Sequence, residues 1–552
     1  MNTLSQVLDF LTYYLVDQYW FPALLIGTGI FFTIYLGFPQ IKYFRHGWSI
    51  LTGKYIKEDT VGETTPFQAL TTALSGTVGT GNIGGVALAI FLGGPAAIFW
   101  MWVTAFLGMT TKFVEVTLAH KYRIKLQDDS IAGGPMYYIE HGLNMKWLAV
   151  LFSICLLLMC LGTGNMPQIS SIAVVMKDTF EIPKIMTGIV LTILLWLVII
   201  GGIKRIALIA SKLVPFMAFW YLVGAFAVII SNYDNILPSF QNIFVHVFTP
   251  TAAVGGFLGA SVAAALTRGV NRGLYSNEAG QGSAPIAHAS SKTENPIEEG
   301  IVSILEPFID TIVICTITGL VILSSGVWTE KFENRFEASS MYFVEGQFDL
   351  EDPKSIKPLQ NFITGASSDI EFTGNIPIKN GVLNTSKVTL IHNRSIAEDV
   401  TFLDSSTGEV FSGSIFVDDG KIMDVGNYDV DGKSLLLGAD LTSKAFSRSI
   451  FGNFGQYIVA IGLLMFAFST VIAWSYYGDR ATAYLFGEGW ILYYRIIYVS
   501  AFFLASIIDT KIIWDIATVI GPIATIPNLL ALVLLRKEMK SIDSGYVQPK
   551  QK

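Results

Sequence analysis

Long apolar runs joined by short polar connections make up most of the chain. A helix needs about 20 mostly apolar residues to cross a hydrocarbon layer, where only internal hydrogen bonds can satisfy the backbone. Eleven stretches are expected to do so, near residues 19–38, 66–91, 95–118, 147–176, 185–202, 213–231, 251–289, 301–324, 451–477, 490–508 and 512–535, the seventh being long and interrupted. Between the eighth and ninth the pattern changes. Turn signals at Thr373-Gly374-Asn375, Lys379-Asn380-Gly381 and Asp418-Asp419-Gly420 separate short runs such as Lys387-Val388-Thr389-Leu390-Ile391-His392 and the stretch from Val410 to Val417. Alternating β-branched and aromatic residues bounded by such turns predict strands and hairpins.

Composition fits a chain that cannot cover itself with polar surface: 52% of the 552 residues are hydrophobic and 14% charged, against about 25% charged in a typical soluble domain. The charge is uneven. Between Trp328 and Asp440 lie 19 acidic and 9 basic residues, whereas the whole chain carries −7, so the acidity sits in one insert and the rest is net positive. Lys and Arg in short loops favour the cytoplasmic face. The clusters Lys42, Arg45, Lys54 and Lys57; Lys121, Arg123 and Lys125; Lys204, Arg205 and Lys212; Lys292 and Arg480; and Arg536, Lys537 and Lys540 fall on one side if the N-terminus is outside and the C-terminus cytoplasmic. The connections with Lys177, Lys184 and Lys511, and the insert, then face outward.

This gives four expected parts: residues 1–327 and 441–540 as two portions of a membrane domain, 328–440 as an extracytoplasmic β-rich insert, and 541–552 as a cytoplasmic tail. The first twenty residues lack a basic start and carry Asp9 and Asp17, unlike a cleavable signal peptide. Cys155, Cys160 and Cys315 lie within apolar stretches and are expected to be buried small hydrophobes. Basic residues form no continuous stripe for nucleic acid, and no nucleophile–base or metal-ligand constellation suggests an enzyme.

Two spans are too rich in glycine and polar residues to run uninterrupted: Ser75-Gly76-Thr77-Val78-Gly79-Thr80-Gly81-Asn82-Ile83-Gly84-Gly85, and Gly273-Leu274-Tyr275-Ser276-Asn277-Glu278-Ala279-Gly280-Gln281-Gly282-Ser283. Irregular backbone at membrane depth is tolerated where it lines a cavity, and paired broken helices mark the binding sites of secondary transporters. Half-helix N-termini suit a carboxylate; unwound carbonyls suit an ammonium group or a cation. The competing explanation is close helix packing through small residues.

The run Gly93-Gly94-Pro95-Ala96-Ala97-Ile98-Phe99-Trp100-Met101-Trp102-Val103-Thr104-Ala105-Phe106-Leu107-Gly108-Met109 resembles the signature of the sodium:alanine symporter family, the alanine or glycine:cation symporters. Gly133-Gly134-Pro135-Met136-Tyr137-Tyr138-Ile139, Arg272 to Pro285, and Phe468-Ser469-Thr470 through Trp474-Ser475-Tyr476-Tyr477-Gly478 resemble further blocks. The likeness covers about 19–327 and 441–540; the insert departs from the family's short connection.

The resemblance implies an all-α polytopic membrane protein of the amino-acid/polyamine/organocation arrangement. Two inverted five-helix repeats would follow one extra N-terminal helix, eleven transmembrane helices in all, with the β-rich insert added. It implies sodium-coupled symport of alanine or glycine across the inner cell membrane, with sodium as co-substrate, lipid around the helices and no other cofactor. The insert's partner is left open. Rival expectations are a proton-coupled or other-solute transporter of the same fold, or a membrane sensor using the insert.

On this likeness the substrate carboxylate would meet Gly79, Thr80, Gly81, Asn82 and Gln168, and the ammonium would meet carbonyls near Tyr275, Ser276 and Asn277. Gln168, in a polar notch of an apolar span, is costly there unless satisfied. Trp474 would exclude long side chains. Sodium would bind carbonyls near Ser75 and Val78 and the hydroxyls of Ser469 and Thr470, whose alternative use is bonding back to the previous helical turn. Asp310, a carboxylate midway along an apolar span, is a coupling candidate, or else a structural partner of Arg268 or Arg272. Glu278 and Glu306 share that ambiguity. Lys112 and Glu115, three apart, read as a snorkelling pair.

Overall fold

The computed structural model describes residues 7–8, 10–12, 14–15, 20–54, 60–337, 340–348, 352–363, 369–423, 428–508 and 511–548; Asp9, Asp17 and Lys57 lie outside them. Most of these residues are helical. In chain order the principal helices are α1 (Trp20–Tyr35), α2 (Pro66–Thr77), α3 (Val86–Gly93), α4 (Ala97–Lys121), α5 (Lys146–Gly162), α6 (Met166–Phe180), α7 (Lys184–Ile199) and α8 (Gly202–Ser231). They continue as α9 (Val262–Asn277), α10 (Ala284–His288), α11 (Pro296–Ser303), α12 (Thr316–Ser325), α13 (Gly438–Phe446), α14 (Gly455–Phe486), α15 (Ile491–Ala505), α16 (Lys511–Leu534) and α17 (Arg536–Gly545).

Among the described residues five helical stretches are long and apolar enough to cross a membrane: Ala97–Lys121, Lys146–Phe180, Gly202–Ser231, Pro296–Ser325 and Gly452–Phe486. Two bent pairs also qualify when each is taken as one span, and the pair Pro66–Thr77 with Gly81–Gly93 turns by 56° at its break. Helices α1, α7 and α15 have 16, 16 and 15 residues, fewer than the roughly 20 that a perpendicular span requires.

Several boundaries differ from the hydropathy reading for local reasons. The stretch 251–260 is not helical; it folds back on itself through the bridges Thr251–Ala260 and Val254–Phe257, and helix α9 starts only where the Ser261 side chain caps the Ala264 N–H. The expected fourth span is two helices, α5 and α6, parted at Thr163–Asn165. In the eighth, a π-helical segment, Phe308–Cys315, interrupts the α-helix. Helix α2 begins with a capping box, Thr65 and Gln68 bonding each other's backbone, with Pro66 at the first helical position, the arrangement that satisfies orphan N–H groups at a helix start.

One large apolar core runs through the bundle. Helix α14 packs on α2, α5, α6 and α8, while α4 packs on α1, α9 and α11. Gly273 permits the α4–α9 contact, since a Cβ there would lie 3.0 Å from Thr104 Cβ. Small-residue packing therefore explains this glycine, which lies within helix α9 and not in the break.

Among the described residues between Lys331 and Leu435 the chain forms three small antiparallel sheets. The strands used below are β1 (Lys331–Phe336), β2 (Met341–Glu345), β3 (Gly374–Lys379), β4 (Val388–His392), β5 (Ser395–Ile396), β6 (Glu398–Asp404), β7 (Gly413–Asp418), β8 (Lys421–Ile422) and β9 (Tyr428–Leu435). Strand β9 lies between β1 and β6, β4 between β2 and β5, and β7 between β8 and β3. Phe343, Ile376, Phe402, Ile415, Val417 and Val430 fill their core. Gly374 opens a strand where the sequence suggested a turn, whereas Asn380–Gly381 and Asp419–Gly420 adopt the positive φ of tight turns. Apolar contacts join this region to the bundle: Leu435 packs with Phe91, Phe257 and Ala260, and Leu258 packs with Val344, Leu359 and Ile391.

Candidate substrate and cation site

Helix α2 ends at Thr77. Val78 turns extended (φ −76°, ψ 92°), and the chain resumes in a π turn, Gly81–Gly85, that leads into α3. Helix α9 ends at Asn277, after which Glu278, Gly280 and Gly282 take positive φ before α10. The second break is thus Glu278–Ser283, and Tyr275, Ser276 and Asn277 form the last turn of α9, where carbonyls lack intrahelical partners.

The segments that flank the two breaks meet at one carboxylate. Asn82 Oδ1 accepts the Gly79 N–H at 2.9 Å, and its Nδ2 donates to Asp310 Oδ1 at 2.7 Å and lies 3.2 Å from Ser276 Oγ. The Ser276 and Thr311 hydroxyls both donate to Asp310 Oδ2 at 2.7 Å. Asn82, Asp310 and Thr311 are fully buried and Ser276 nearly so. Asp310 is therefore bound by amide and hydroxyl donors and not, as the sequence allowed, by Arg268 or Arg272. A charged acceptor holds such donors more strongly than a neutral one.

Beside this cluster, the Thr80 hydroxyl donates to Gln168 Oε1 at 3.3 Å, and Gln168 Nε2 donates to the Thr163 carbonyl at 3.1 Å. Gln168 thus ties the first break to the α5–α6 gap. Trp474, 1% exposed, lies over Gly164 in that gap so closely that any Cβ at Gly164 would strike the indole ring. Its ring is edge-on to Tyr477 at 5.5 Å, and its Nε1 has no hydrogen-bond partner among the described residues. The Tyr498 hydroxyl donates to the carbonyls of Gly164 (3.2 Å) and Val471 (2.9 Å), and Asn165 donates to the Tyr498 carbonyl at 2.8 Å, fastening the gap to α14 and α15.

Ser75, Ser469 and Thr470 also converge, where α2 crosses α14, and Val78 follows the last residue of α2. Ser75 Oγ donates to the Ser469 carbonyl at 2.7 Å and Ser469 Oγ lies 3.3 Å from the Ser75 carbonyl. Both hydroxyls of the 469–470 pair also bond back to the Phe466 carbonyl, at 2.8 and 3.1 Å. A Cβ on Gly79 would lie 2.7 Å from Thr470 Oγ1, so only glycine lets the broken backbone approach that hydroxyl. Trp474 follows Thr470 by one helical turn and shares its face.

A second buried polar network lies along α4. Lys112 does not snorkel with Glu115: it is fully buried, and its Nζ pairs with Glu306 Oε1 at 3.1 Å. Glu306 Oε2 is 3.8 Å from His288 Nε2, and His288 Nδ1 is 2.6 Å from Glu299 Oε1. Glu115 instead accepts the Asn528 amide and, at 3.2 Å, the Gly280 N–H, while Glu278 accepts the Ser283 hydroxyl. Cys155, Cys160 and Cys315 are buried and free.

Thr311, Tyr498, Asn528 and Arg272 were not singled out as site residues from sequence. Thr311 and Asn528 carry a signal of sorts, as polar side chains within apolar helices. Arg272 lies against the π turn, its Cδ and Nη1 each 2.9 Å from where a Gly85 Cβ would be, and it has no hydrogen-bond or ion-pair partner among the described residues.

The model of the sodium:alanine symporter family matches residues 1–345 and 415–552. The sodium/alanine symporter AgcS of Methanococcus maripaludis is 36% identical over 518 residues, covering 93% of this chain and 91% of that protein. An uncharacterized transporter of Haemophilus influenzae is 35% identical over 526 residues, covering 95% and 92%. A probable sodium/glutamine symporter of Bacillus subtilis, GlnT, is 37% identical over 328 residues, covering 59% and 67%.

Proposed function

Because the chain belongs to the sodium:alanine symporter family, and is thus a cation-coupled amino-acid symporter of the membrane, we propose that it brings alanine or glycine into the cell together with sodium. The observation that carries this reading is the meeting of two interrupted helices at Asn82, Ser276 and Asp310. Backbone N–H groups of Thr80 and Gly81, with Gln168, face the carboxylate; carbonyls of the last turn of α9 at Tyr275 to Asn277 face the ammonium group. Both are the ordinary uses of exposed helix ends.

Sodium takes the oxygens of Ser75, Val78, Ser469 and Thr470, hard donors that suit a hard cation. Their present hydrogen bonds to one another and to Phe466 are exchanged for the ion. The N-terminus lies outside, the C-terminus in the cytoplasm, and the insert on the outer face of the inner membrane. Ion and substrate bind near the bilayer midplane and the repeats rock to release them inward. Since coupling is a binding linkage, alanine and sodium each tighten the other by the same factor.

Radiolabelled alanine uptake into proteoliposomes, with and without an inward sodium gradient, tests the whole reading; gradient-independent uptake, or none, would overturn it. The double variant Ser469→Ala, Thr470→Ala is expected to lose sodium-driven accumulation while still binding alanine at raised concentration. Unchanged sodium dependence would remove these hydroxyls from the ion site.

Trp474 sets substrate size. Its ring fills the α5–α6 gap beside Gln168, where a side chain longer than a methyl group would have to go. Trp474→Ala opens this space, and competition by glutamine and leucine against labelled alanine is expected to rise at least tenfold. An unaltered competition profile would exclude the tryptophan from selection. Glutamine belongs in the panel because a relative is named for it.

A further inference from the structure

A cavity of about 490 Å³ lies between the β-rich insert and the end of α3, with Arg394, Glu371, Tyr342 and Phe362 on the insert side and Phe91 and Leu92 on the helix side. Its chemistry is unlike that of a packing defect. Arg394 stands at the tip of the β4–β5 hairpin, where Asn393 and Arg394 have φ of 47° and 55°. Two successive left-handed residues make the favoured two-residue hairpin turn, but glycine is the usual choice at its second position, and an arginine there costs roughly 1–2 kcal/mol. Asn393 is fixed by donating to the Leu435 carbonyl at 3.1 Å. That bond anchors the hairpin and leaves Arg394 directed by it.

Arg394 Nη2 is buried without a hydrogen-bond partner. Burial and the nearby Arg268 charge push its pKa down to about 10, so at neutral pH it remains a guanidinium cation. No ion pair joins Arg394 to Glu371 across the cavity, and no hydrogen bond to the Glu371 side chain occurs among the described residues. A buried guanidinium nitrogen left without a partner is costly; opposite charges held apart in one cavity, with aromatic side chains in its lining, match a ligand that carries both charges itself.

The cavity also stands over the central site. Its floor, Leu92, is ten residues beyond Asn82, about 15 Å along a helix. Arg268 and Arg272 are four apart and share one face of α9: the first lies close enough to Arg394 to feel its charge, and the second touches the π turn at Gly85. Three guanidinium groups thus mark a descent from the cavity to the first break.

We propose that this cavity is a second binding site, on the insert's side of the membrane, for a zwitterionic α-amino acid held by its carboxylate on Arg394 and its ammonium group on Glu371. From it the carboxylate passes to Arg268, Arg272 and the central break. The inference rests on the reading that the chain carries amino acids. It gives the insert a role in capture, since the insert supplies both charged groups.

The test is equilibrium binding of labelled alanine to the purified full-length protein in lipid nanodiscs with sodium. The expected stoichiometry is two molecules per chain in the parent protein and one in Arg394→Gln, with the lost site weakened about 10- to 100-fold, as for loss of a charged hydrogen-bonding group. Arg394→Lys should recover part of it, and alaninamide, which lacks the carboxylate, should displace only weakly from it. If Arg394→Gln misfolds, as judged by thermal unfolding, Glu371→Gln carries the same expectation. One molecule per chain in the parent protein, or two in both variants, overturns the second site and leaves the transport reading intact; no alanine bound to the parent protein overturns both.

Discussion

Lys112→Met is expected to lower the stability of the purified protein by about 3–5 kcal/mol, the usual consequence of removing one member of a buried ion pair. The cost comes from what remains. Glu306 is fully buried, and without the ammonium group its nearest basic neighbour is His288 Nε2, at 3.8 Å, a ring already engaged at 2.6 Å with Glu299. The double variant Lys112→Met, Glu306→Leu removes both charges and keeps the volume, so it should recover most of the loss. Cys155, Cys160 and Cys315 are buried and free, so a thiol-reactive fluorophore reports unfolding directly in detergent. Equal destabilisation of the single and double variants would mean that packing, not charge pairing, fixes this region. The pair matters for more than stability because it joins α4 to the segment before the π helix, and His288 extends the link to α10, just beyond the second break.

This pairing shows where sequence reasoning stops. Glycines and hydroxyls at 75–85 stand out in an apolar span because their cost at membrane depth demands a use, and the polar notch at Gly164–Gln168 stands out for the same reason. The structure accordingly has irregular backbone at Val78–Thr80, Thr163–Asn165 and Glu278–Ser283. Partners are another matter. Lys112 and Glu115 suggest each other because helical spacing is a local rule, yet Lys112 reaches Glu306, 194 positions away, and Asn82 reaches Asp310 across 228.

Folding brings such groups together through helix crossings that no single-segment pattern encodes. Arg268 and Arg272 are natural partners for Asp310 by charge, but hydroxyls and an amide satisfy it instead. Glycine does not mark a helix end where it serves packing: Gly273 belongs to a tight α4–α9 contact, and the chain stays helical four residues further.

Asp310→Asn is expected to reduce sodium-driven alanine uptake by about two orders of magnitude, because each hydrogen bond to a charged acceptor contributes about 1.5–3 kcal/mol and three donors converge on this carboxylate. An asparagine offers one carbonyl oxygen: with it toward Asn82, the Ser276 and Thr311 hydroxyls must accept from its NH2 group instead of donating, and with it toward the hydroxyls, Asn82 must turn away. If Asn82 turns, its Oδ1 can no longer hold the Gly79 N–H, and the first break loses the brace that shapes it next to Thr470. The variant therefore separates two roles. As a coupling residue, Asp310 supplies the negative charge that offsets a bound cation, and its neutral replacement abolishes the sodium-induced tightening of alanine binding while the thermal unfolding curve stays near that of the parent protein. As a purely structural acceptor, its loss weakens alanine binding with and without sodium by the same factor and lowers the unfolding temperature. Parallel binding isotherms at zero and saturating sodium distinguish these outcomes, and an unchanged sodium effect in a stable Asp310→Asn protein would remove the carboxylate from coupling.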